Sequence, residues 1–332
     1  MTEANQKDII VSTANLTKTF DTKVATEKGW EQKQVKAVTD ISLEIVRGET
    51  LALVGESGCG KTTLGRILSL FYTPTSGEFD LNGENVVGLK RKHIKPLRQH
   101  VQMIFQDPMS SLNPRHTVES ILTEPMKIFG SGNAEENRKK AGDLLESAGL
   151  PREDLRKYPH EFSGGQRQRI TIARALALNP AFIVADEPVS ALDVSVQSQI
   201  LNLMKDLREE FNLTYLFISH DLAVVHHLAD RIAVMYLGRI VEIAPRDSLF
   251  EHAVHPYTRA LLGSVPTVKP NKGKIGRILQ GDPPSPIDPP AGCPFNPRCA
   301  HATDLCRQEV PTLDVSRMGA AHQVACHLKD EL

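Results

Sequence analysis

The hydrophobic residues near the start of the chain repeat with a period of about two. Residues 9–20 and 35–54 are short apolar runs with rough alternation, which is typical of half-buried strands. Between them, residues 21–34 are polar and turn-prone, so we expect an insertion at the tip of a hairpin. Residues 75–86 predict a turn and a further strand.

The period becomes helical in residues 107–180, and it is clearest in residues 134–150. There the apolar residues fall on one face: Ala141, Leu144, Leu145 and Ala148. Beyond residue 180, apolar runs that predict strands alternate with helical patterns, and this alternation favours a parallel sheet covered by helices. The predicted order is a strand at 181–186, a helix at 196–211, a strand at 214–220, a helix at 221–230 and a hairpin at 231–244.

The C-terminal part of the chain has a different composition. Nine prolines occur between Pro266 and Pro297, which predicts an extended, irregular segment. Four of the five cysteines follow within a short stretch, at Cys293, Cys299, Cys306 and Cys326. We therefore expect a small Pro/Cys-rich region after the α/β part.

Length, charge and hydropathy exclude several classes of protein. The 332 residues suggest one large domain with an appendage, or two domains. With 39 basic and 40 acidic residues, the chain has no basic field that would attract nucleic acid. The first residues do not resemble a secretory signal, and no run of 18 apolar residues predicts a membrane span. Clustered cysteines in such a chain indicate metal or redox chemistry rather than disulfides.

The sequence GESGCGKT, residues 55–62, is the strongest candidate site. The glycines at positions 55, 58 and 60 allow a tight turn that points several backbone N–H groups at anionic oxygens. Lys61 can reach the β- and γ-phosphates of a nucleotide, and the Thr62 hydroxyl can bind Mg²⁺. An apolar run precedes the loop and a helical pattern follows it, so the phosphates would lie at a helix N-terminus. The predicted nucleotide-binding residues of this loop and its helix are Gly55, Glu56, Ser57, Gly58, Cys59, Gly60, Lys61, Thr62 and Thr63.

Two further motifs fit phosphate chemistry. Asp186 and Glu187 end an apolar strand, where open α/β sheets place their ligands. We expect Asp186 to hold Mg²⁺ through water and Glu187 to act as the base for an attacking water. A second anion site without a lysine is predicted where Ser163 can cap a helix and two glycines leave N–H groups uncovered. Its residues are Ser163, Gly164, Gly165 and Gln166.

Taken in order, these motifs resemble those of the ATP-binding subunits of ABC transporters. The set comprises GESGCGKT, Gln106, FSGGQRQR, IVADEP, SALD and ISHD with His220, and the resemblance covers roughly residues 9–262. It implies a P-loop fold with a mixed sheet, an antiparallel β part and a helical subdomain at about 107–180. It also implies that Gln106 contacts Mg²⁺ and that His220 contacts the γ-phosphate.

The resemblance further implies how such a subunit works with its partners. Two subunits bind ATP between the phosphate loop of one and the SGGQ motif of the other, and they drive two membrane permeases from the cytoplasmic face of the membrane. A substrate-binding protein delivers the solute. Pairing with a paralogous ATPase is favoured over a homodimer. In this family an aromatic residue stacks on adenine, and Phe20 is the first candidate, with Trp30 second.

Two stretches resemble one branch of this family more closely. Residues 102–126 and 255–266 are similar to the ATPases of oligopeptide and dipeptide importers, and they fit the second of the two paired ATPases. Nickel, glutathione and oligosaccharide import remain alternatives within this branch. A soluble ABC ATPase of DNA repair or translation is a more distant alternative, since such chains usually carry two cassettes or a long coiled coil.

The cysteine spacing by itself leaves three interpretations open. An iron–sulfur cluster, a zinc site supplemented by His301, His322 or His327, and free structural thiols all remain possible. Similar tails in the peptide-importer branch carry a 4Fe–4S cluster, so the resemblance implies that the four cysteines listed above bind one. The expected domains are therefore a nucleotide-binding domain at 9–262 and a C-terminal domain at 263–332.

Overall fold

The computed structural model describes residues 8–26, 29–263 and 281–331. Its strands are β1 (Ile9–Thr26), β2 (Gly29–Val46), β3 (Thr50–Val54), β4 (Ser76–Leu81), β5 (Glu84–Asn85), β6 (Val101–Ile104), β7 (Phe182–Asp186), β8 (Thr214–Ser219), β9 (Arg231–Tyr236), β10 (Arg239–Pro245), β11 (Asp314–Ser316) and β12 (Gly319–Val324). Its helices are α1 (Lys61–Leu68), α2 (Arg91–Leu97), α3 (Pro108–Ser111), α4 (Val118–Phe129), α5 (Ala134–Ser147), α6 (Gly164–Leu176), α7 (Val194–Phe211), α8 (Leu222–Leu228), α9 (Arg246–His252), α10 (Pro256–Gly263) and α11 (Asp304–Gln308). Short 3-10 turns occupy Arg152–Arg156, Pro159–Glu161 and Asn296–Arg298.

The first sheet is antiparallel, with the strand order β2-β1-β4-β5. The alternation predicted for its strands is visible in β2, where Ile41, Leu43 and Ile45 are buried and the residues between them are exposed. The polar stretch at 21–34 does lie at the end of a hairpin, but it forms paired strand rather than a turn, with Asp21 opposite Gln34. Residues 27 and 28, at the tip, lie outside the described residues.

The second sheet is mixed and has the order β11-β12-β10-β9-β3-β8-β7-β6. Its five strands from β9 to β6 are parallel, and the central ones are buried along their whole length, as expected for a sheet covered on both faces. The predicted alternation of strands and helices after residue 180 is confirmed. Because β3, β7 and β8 run in the same direction, the residues that follow them meet at one edge.

Helices fill the region predicted to be helical, from α3 to α6. The apolar face predicted on α5 and at its end is buried, and it contributes Ala141, Leu144, Leu145 and Ala148 to the larger of the two hydrophobic clusters. The helix begins at Asn133 with a capping box, in which the Asn133 side chain and Glu136 satisfy each other's backbone N–H groups.

The C-terminal segment extends the second sheet. Strand β12 pairs antiparallel with β10, and β11 pairs with β12. Residues 281–298 are mostly irregular, in keeping with their prolines, whereas residues 264–280 and 332 of the expected C-terminal domain lie outside the described residues. Within the part of the chain that the structure describes, no helix combines the length and apolarity needed to cross a membrane.

The glycine-rich loop after β3 packs tightly against the first sheet, and this contact leads to a stability prediction. A Cβ on Gly60 would lie 2.1 Å from the Ala37 carbonyl oxygen, whereas a Cβ on Gly58 would meet nothing within 4 Å. Both residues have positive φ, at 107° and 78°. We expect Gly58→Ala to lower the free energy of unfolding by about 1 kcal/mol, through backbone strain alone. Gly60→Ala should lower it by about 3 kcal/mol or more, because steric overlap is added.

Urea unfolding of the two variants without nucleotide measures this difference. Gly58→Ala is the matched control, since both changes add one methyl group to the same loop. Equal losses of stability would contradict the close approach of the loop to β2.

Candidate functional site

The glycine-rich loop connects the end of β3 to the first residue of α1, as the sequence predicts. Lys61 begins the helix, and its side chain is turned back into the loop, where it is almost fully buried. Its ammonium group donates to the carbonyl oxygens of Gly55, at 2.7 Å, and Glu56, at 2.9 Å. The loop therefore surrounds a cation at the start of a helix, which is a site suited to anions.

A carboxylate lies directly beside this helix start. Asp186, the last residue of β7, is buried and accepts a hydrogen bond of 3.1 Å from the Thr62 hydroxyl. Burial raises the pKa of the Asp186 carboxyl above its ordinary value, and the bond from Thr62 partly offsets this effect. The two residues together present oxygen donors of the kind that Mg²⁺ prefers.

The second carboxylate is held between two side chains from other elements. Glu187 accepts a hydrogen bond of 2.9 Å from the Gln106 amide, and its other oxygen lies 3.1 Å from Nδ1 of His220. Gln106 follows β6 and His220 follows β8, so the three residues come from three neighbouring strand ends. Glu187 has a φ of +47°, a left-handed conformation that is strained for this residue type and often marks functional sites.

These groups line one open cleft of about 550 Å³, which is within the size range of small-molecule sites. The lining residues are Phe20, Val35, Ala37, Ser57, Gly58, Gly60, Lys61, Thr62, Thr63, Gln106, Glu187, His220 and Pro286. Most residues predicted from the loop and strand-end motifs thus meet in one place. Asp186 joins them through its bond to Thr62.

The SGGQ residues lie elsewhere. Ser163 caps α6 in a capping box with Gln166, which explains why the helix begins there. Ser163, Gly164 and Gln166 are exposed and Gly165 is half-buried. None of the four is among the residues that line the cleft. In a single copy, this motif therefore does not complete the site.

The two aromatic residues considered for adenine stacking, Phe20 and Trp30, lie in different places. Phe20 lies on the cleft, with its ring 5.5 Å from the Tyr72 ring in an edge-on arrangement and 5.0 Å from the Lys18 ammonium. Trp30 is 74% exposed near the hairpin tip and does not line the cleft. The placement is therefore compatible with Phe20, and not Trp30, as a residue that contacts a base.

The prediction of an iron–sulfur cluster is wrong. Across the described ranges, which include Cys293, Cys299, Cys306 and Cys326, no group of three or more Cys, His, Asp or Glu side chains could hold a metal ion. The alternative of a zinc site is contradicted by the same finding.

The surroundings of the tail cysteines give the physical reason. Burial raises the pKa of Cys293 to about 11 and also raises the pKa of Cys299 and Cys326, as expected of thiols packed in apolar surroundings. Cys293 and Cys306 belong instead to the hydrophobic core, together with Phe295. Two of the three proposed histidine substitutes have other partners: His322 bonds Glu242 and Ser248, and the His327 ring is hydrogen-bonded to the Glu309 carbonyl oxygen.

Three predicted loop residues are not among those that line the cleft: Gly55, Glu56 and Cys59. Cys59 is buried, with burial raising its pKa. The Glu56 N–H donates to the Tyr257 hydroxyl at 2.8 Å, and its carboxylate pairs with Arg298.

Sequence reasoning missed Val35 and Ala37, which line the cleft from β2, and three residues of the C-terminal part that lie at or beside the site: Tyr257, Pro286 and Arg298. Tyr257 lies in residues 255–266, the stretch that resembles the ATPases of peptide importers. Pro286 and Arg298 stand in the proline- and cysteine-rich segment, where no pattern signals a contact with the loop.

Comparison with protein families identifies two regions of the chain. Residues 38–190 match the ABC transporter family, and residues 241–306 match the family described as the oligopeptide/dipeptide transporter C-terminal region. The first match contains the glycine-rich loop, the SGGQ motif and both carboxylates. The second contains Tyr257, Pro286 and Arg298.

Several relatives are similar to this chain over almost its whole length. The chain is 50% identical over 325 residues to the probable peptide ABC transporter ATP-binding protein y4tS of Sinorhizobium fredii, covering 97% of this chain and 90% of that protein. It is 47% identical to the oligopeptide transport ATP-binding protein AppF of Bacillus subtilis, covering 99% of each. It is 48% identical to the di/tripeptide transport ATP-binding protein DppF of Pseudomonas aeruginosa, covering 96% of this chain and 98% of that protein.

Solved structures share the fold as well. The dimeric, post-hydrolysis structure of the ATP-binding cassette MJ0796 with ADP and Pi has a TM-score of 0.63 and 32% identity, covering 71% of this chain and 98% of that one. CbiO1 of Clostridium perfringens, part of the ABC transporter complex cbiONQ, has the same TM-score and 27% identity, covering 74% of this chain and 92% of that one. The chain therefore belongs to the family of ABC transporter ATP-binding proteins and is an ABC-type ATPase.

Proposed function

We propose that this ATPase powers the import of dipeptides or short oligopeptides by a multi-subunit ABC transporter. The observation that carries the ATPase part is the convergence of Lys61, Asp186 and Glu187 at one sheet edge. The peptide part is supported by the names of the relatives above and by the match to the oligopeptide/dipeptide C-terminal region.

In this proposal the glycine-rich loop binds the triphosphate of ATP. Backbone N–H groups from Ser57 to Thr63 point at the phosphate oxygens from the start of α1, and Lys61 exchanges its carbonyl partners for the β- and γ-phosphates. Phe20 contacts the adenine. Positioned charge of this kind is most of what phosphoryl transfer requires.

The residues present fit a magnesium ion. Thr62, Gln106 and Asp186 offer a hydroxyl, an amide and a carboxylate oxygen, and the buried carboxyl of Asp186 lacks a cationic partner within hydrogen-bond distance among the described contacts. When bound, Mg²⁺ neutralises charge on the β- and γ-phosphate oxygens.

Glu187 is the proposed base for hydrolysis. It accepts a proton from the attacking water as the water oxygen bonds to the γ-phosphorus, and the bond from that phosphorus to the bridging oxygen breaks to give ADP and phosphate. Gln106 and His220 hold the two oxygens of Glu187 in place. His220 then contacts the γ-phosphate.

The exposed SGGQ motif supports a site shared between two subunits. We propose that Ser163, Gly164, Gly165 and Gln166 of one subunit complete the cleft of another, with a paralogous ATPase favoured as the partner and a second copy of this chain as the alternative. The pair would bind two permeases on the cytoplasmic face of the membrane, and a substrate-binding protein would deliver the peptide. Within the chain, 9–262 forms the nucleotide-binding domain, with its helical subdomain at about 107–180, and 263–332 forms the C-terminal domain.

The magnesium role of Asp186 is tested by Asp186→Asn. Asparagine keeps the size and the bond to Thr62 but removes the charge, so we expect the gain in ATP affinity on adding Mg²⁺ to fall by about tenfold. Calorimetric titration with and without EDTA measures this gain.

The magnesium role of Asp186 also predicts a pH dependence. Acid protonates the Asp186 carboxylate, and because the pKa of this group is raised, protonation occurs at a higher pH than for an ordinary aspartate. The gain should therefore weaken more steeply on acidification in the wild type than in the variant.

An unchanged magnesium dependence in Asp186→Asn would contradict the assignment. The melting temperature without nucleotide serves as the control for folding.

The role of Glu187 is tested by Glu187→Gln. We expect this variant to bind ATP and to form the closed dimer, while its rate of hydrolysis falls by at least about a hundredfold, because the base is lost. Steady-state phosphate release and size-exclusion chromatography with ATP measure the two properties. Glu209→Gln, at an exposed position of α7, is the matched control and should hydrolyse ATP normally. Near-normal turnover by Glu187→Gln would show that another group is the base.

The cargo is tested with the assembled transporter in proteoliposomes. Receptor loaded with dipeptides or short oligopeptides should stimulate ATP hydrolysis and accumulate labelled peptide inside. Stimulation by receptor loaded with Ni²⁺, glutathione or an oligosaccharide, and not by peptides, would assign the transporter to one of the other substrates of this branch.

A further inference from the structure

We infer that Arg298, in the C-terminal segment, is a positioning residue for nucleotide binding and acts on the glycine-rich loop through Glu56. This inference rests on the proposed binding of ATP by that loop. It gives a segment remote from the loop in sequence a part in the nucleotide site, through Glu56.

The contact between the two residues is bidentate and largely buried. The Arg298 guanidinium donates to both oxygens of the Glu56 carboxylate, at 2.7 and 3.0 Å. The Arg298 side chain is 5% exposed and that of Glu56 is 25% exposed. Arginine fixes a carboxylate in orientation as well as in charge when both oxygens are bound, so the pair determines where the Glu56 side chain lies.

A second anchor holds the backbone of the same residue. The Tyr257 hydroxyl accepts a hydrogen bond of 2.8 Å from the Glu56 N–H, and the Tyr257 side chain is fully buried. Its ring packs against those of Tyr236 and Phe295, three residues before Arg298. Helix α10 and the C-terminal segment therefore hold Glu56 at two points, one on the main chain and one on the side chain.

Glu56 in turn contacts the lysine of the site. Its carbonyl oxygen accepts from the Lys61 ammonium at 2.9 Å, beside the carbonyl of Gly55. A shift of Glu56 would thus move one of the groups that place Lys61. Since the geometry of a loop that binds phosphate must be set before the ligand arrives, a fixed Glu56 favours binding.

Charge gives the contact a second effect. Glu56 introduces a carboxylate into the loop proposed to bind a triphosphate, and a like charge close to the phosphates weakens their binding. Arg298 neutralises this carboxylate and holds it away from the cleft, which Glu56 does not line. Loss of Arg298 alone would leave the repulsion, and loss of both charges would remove it.

A double-mutant cycle separates this effect from simple packing. We would measure the affinity for MgATP of purified full-length protein by calorimetry in four forms: wild type, Arg298→Met, Glu56→Gln and the double variant. Arg298→Met should weaken binding by about tenfold, because one charged partner is left unpaired. In the Glu56→Gln background, the same change should weaken binding by less than about threefold.

Two further variants complete the design. Arg307→Met removes an exposed arginine of the same segment, which pairs with Asp304, and should leave the affinity unchanged. Arg298→Lys keeps the charge and loses the bidentate contact, and it replaces Arg298→Met in the cycle if the latter does not fold. For that variant we expect a smaller loss, which Glu56→Gln again removes.

The outcomes distinguish the inference from the proposed function. Wild-type affinity in Arg298→Met, or an equal loss in both backgrounds, would overturn the inference while leaving ATP binding intact. If the wild type does not bind MgATP, the proposed function fails, and the inference fails with it. A fall in melting temperature without the predicted dependence on Glu56 would show that Arg298 is structural only, and this too overturns the inference.

Discussion

The geometry of the nucleotide site depends on the position of one buried ammonium group, that of Lys61. The Lys61 side chain is 5% exposed, and a buried cation is costly unless polar partners surround it. Its partners are backbone carbonyl oxygens of the loop itself, so the shape of the loop determines where the charge lies. Ala37 of the first sheet lies against the loop at Gly60, and Tyr257 of α10 binds the loop at the Glu56 N–H.

The parallel strands supply the other half of the site. Because β3, β7 and β8 end at one edge, three short segments bring a hydroxyl, two carboxylates and an imidazole together without any long loop. The buried Asp186 and the half-buried Glu187 are adjacent in sequence but have different partners. One fold thereby gives two neighbouring carboxylates two different electrostatic environments, which suits different roles in one reaction.

The features that can be predicted from the sequence are those formed by residues close to one another along the chain. The loop, the strand-end carboxylates and the capped start of α6 depend on local patterns, and all three lie where the sequence indicates. The contacts of Pro286 and Arg298 join residues more than two hundred positions apart, and no local pattern reports them. The cysteine prediction failed for a related reason: spacing shows that thiols are near in sequence, whereas ligation depends on where the fold places the side chains, and Cys293 and Cys306 lie in the hydrophobic core.

The pairing of β12 with β10 has a consequence for how the chain can be divided. Strand β10 would become the edge of the main sheet if the C-terminal segment were removed, and its buried residues Ile240, Val241 and Ile243 would border a row of unpaired backbone groups. Open edges of this kind recruit strands from other molecules. A truncated nucleotide-binding core is therefore expected to self-associate, and exchanging tails between related ATPases requires carrying this strand across with them.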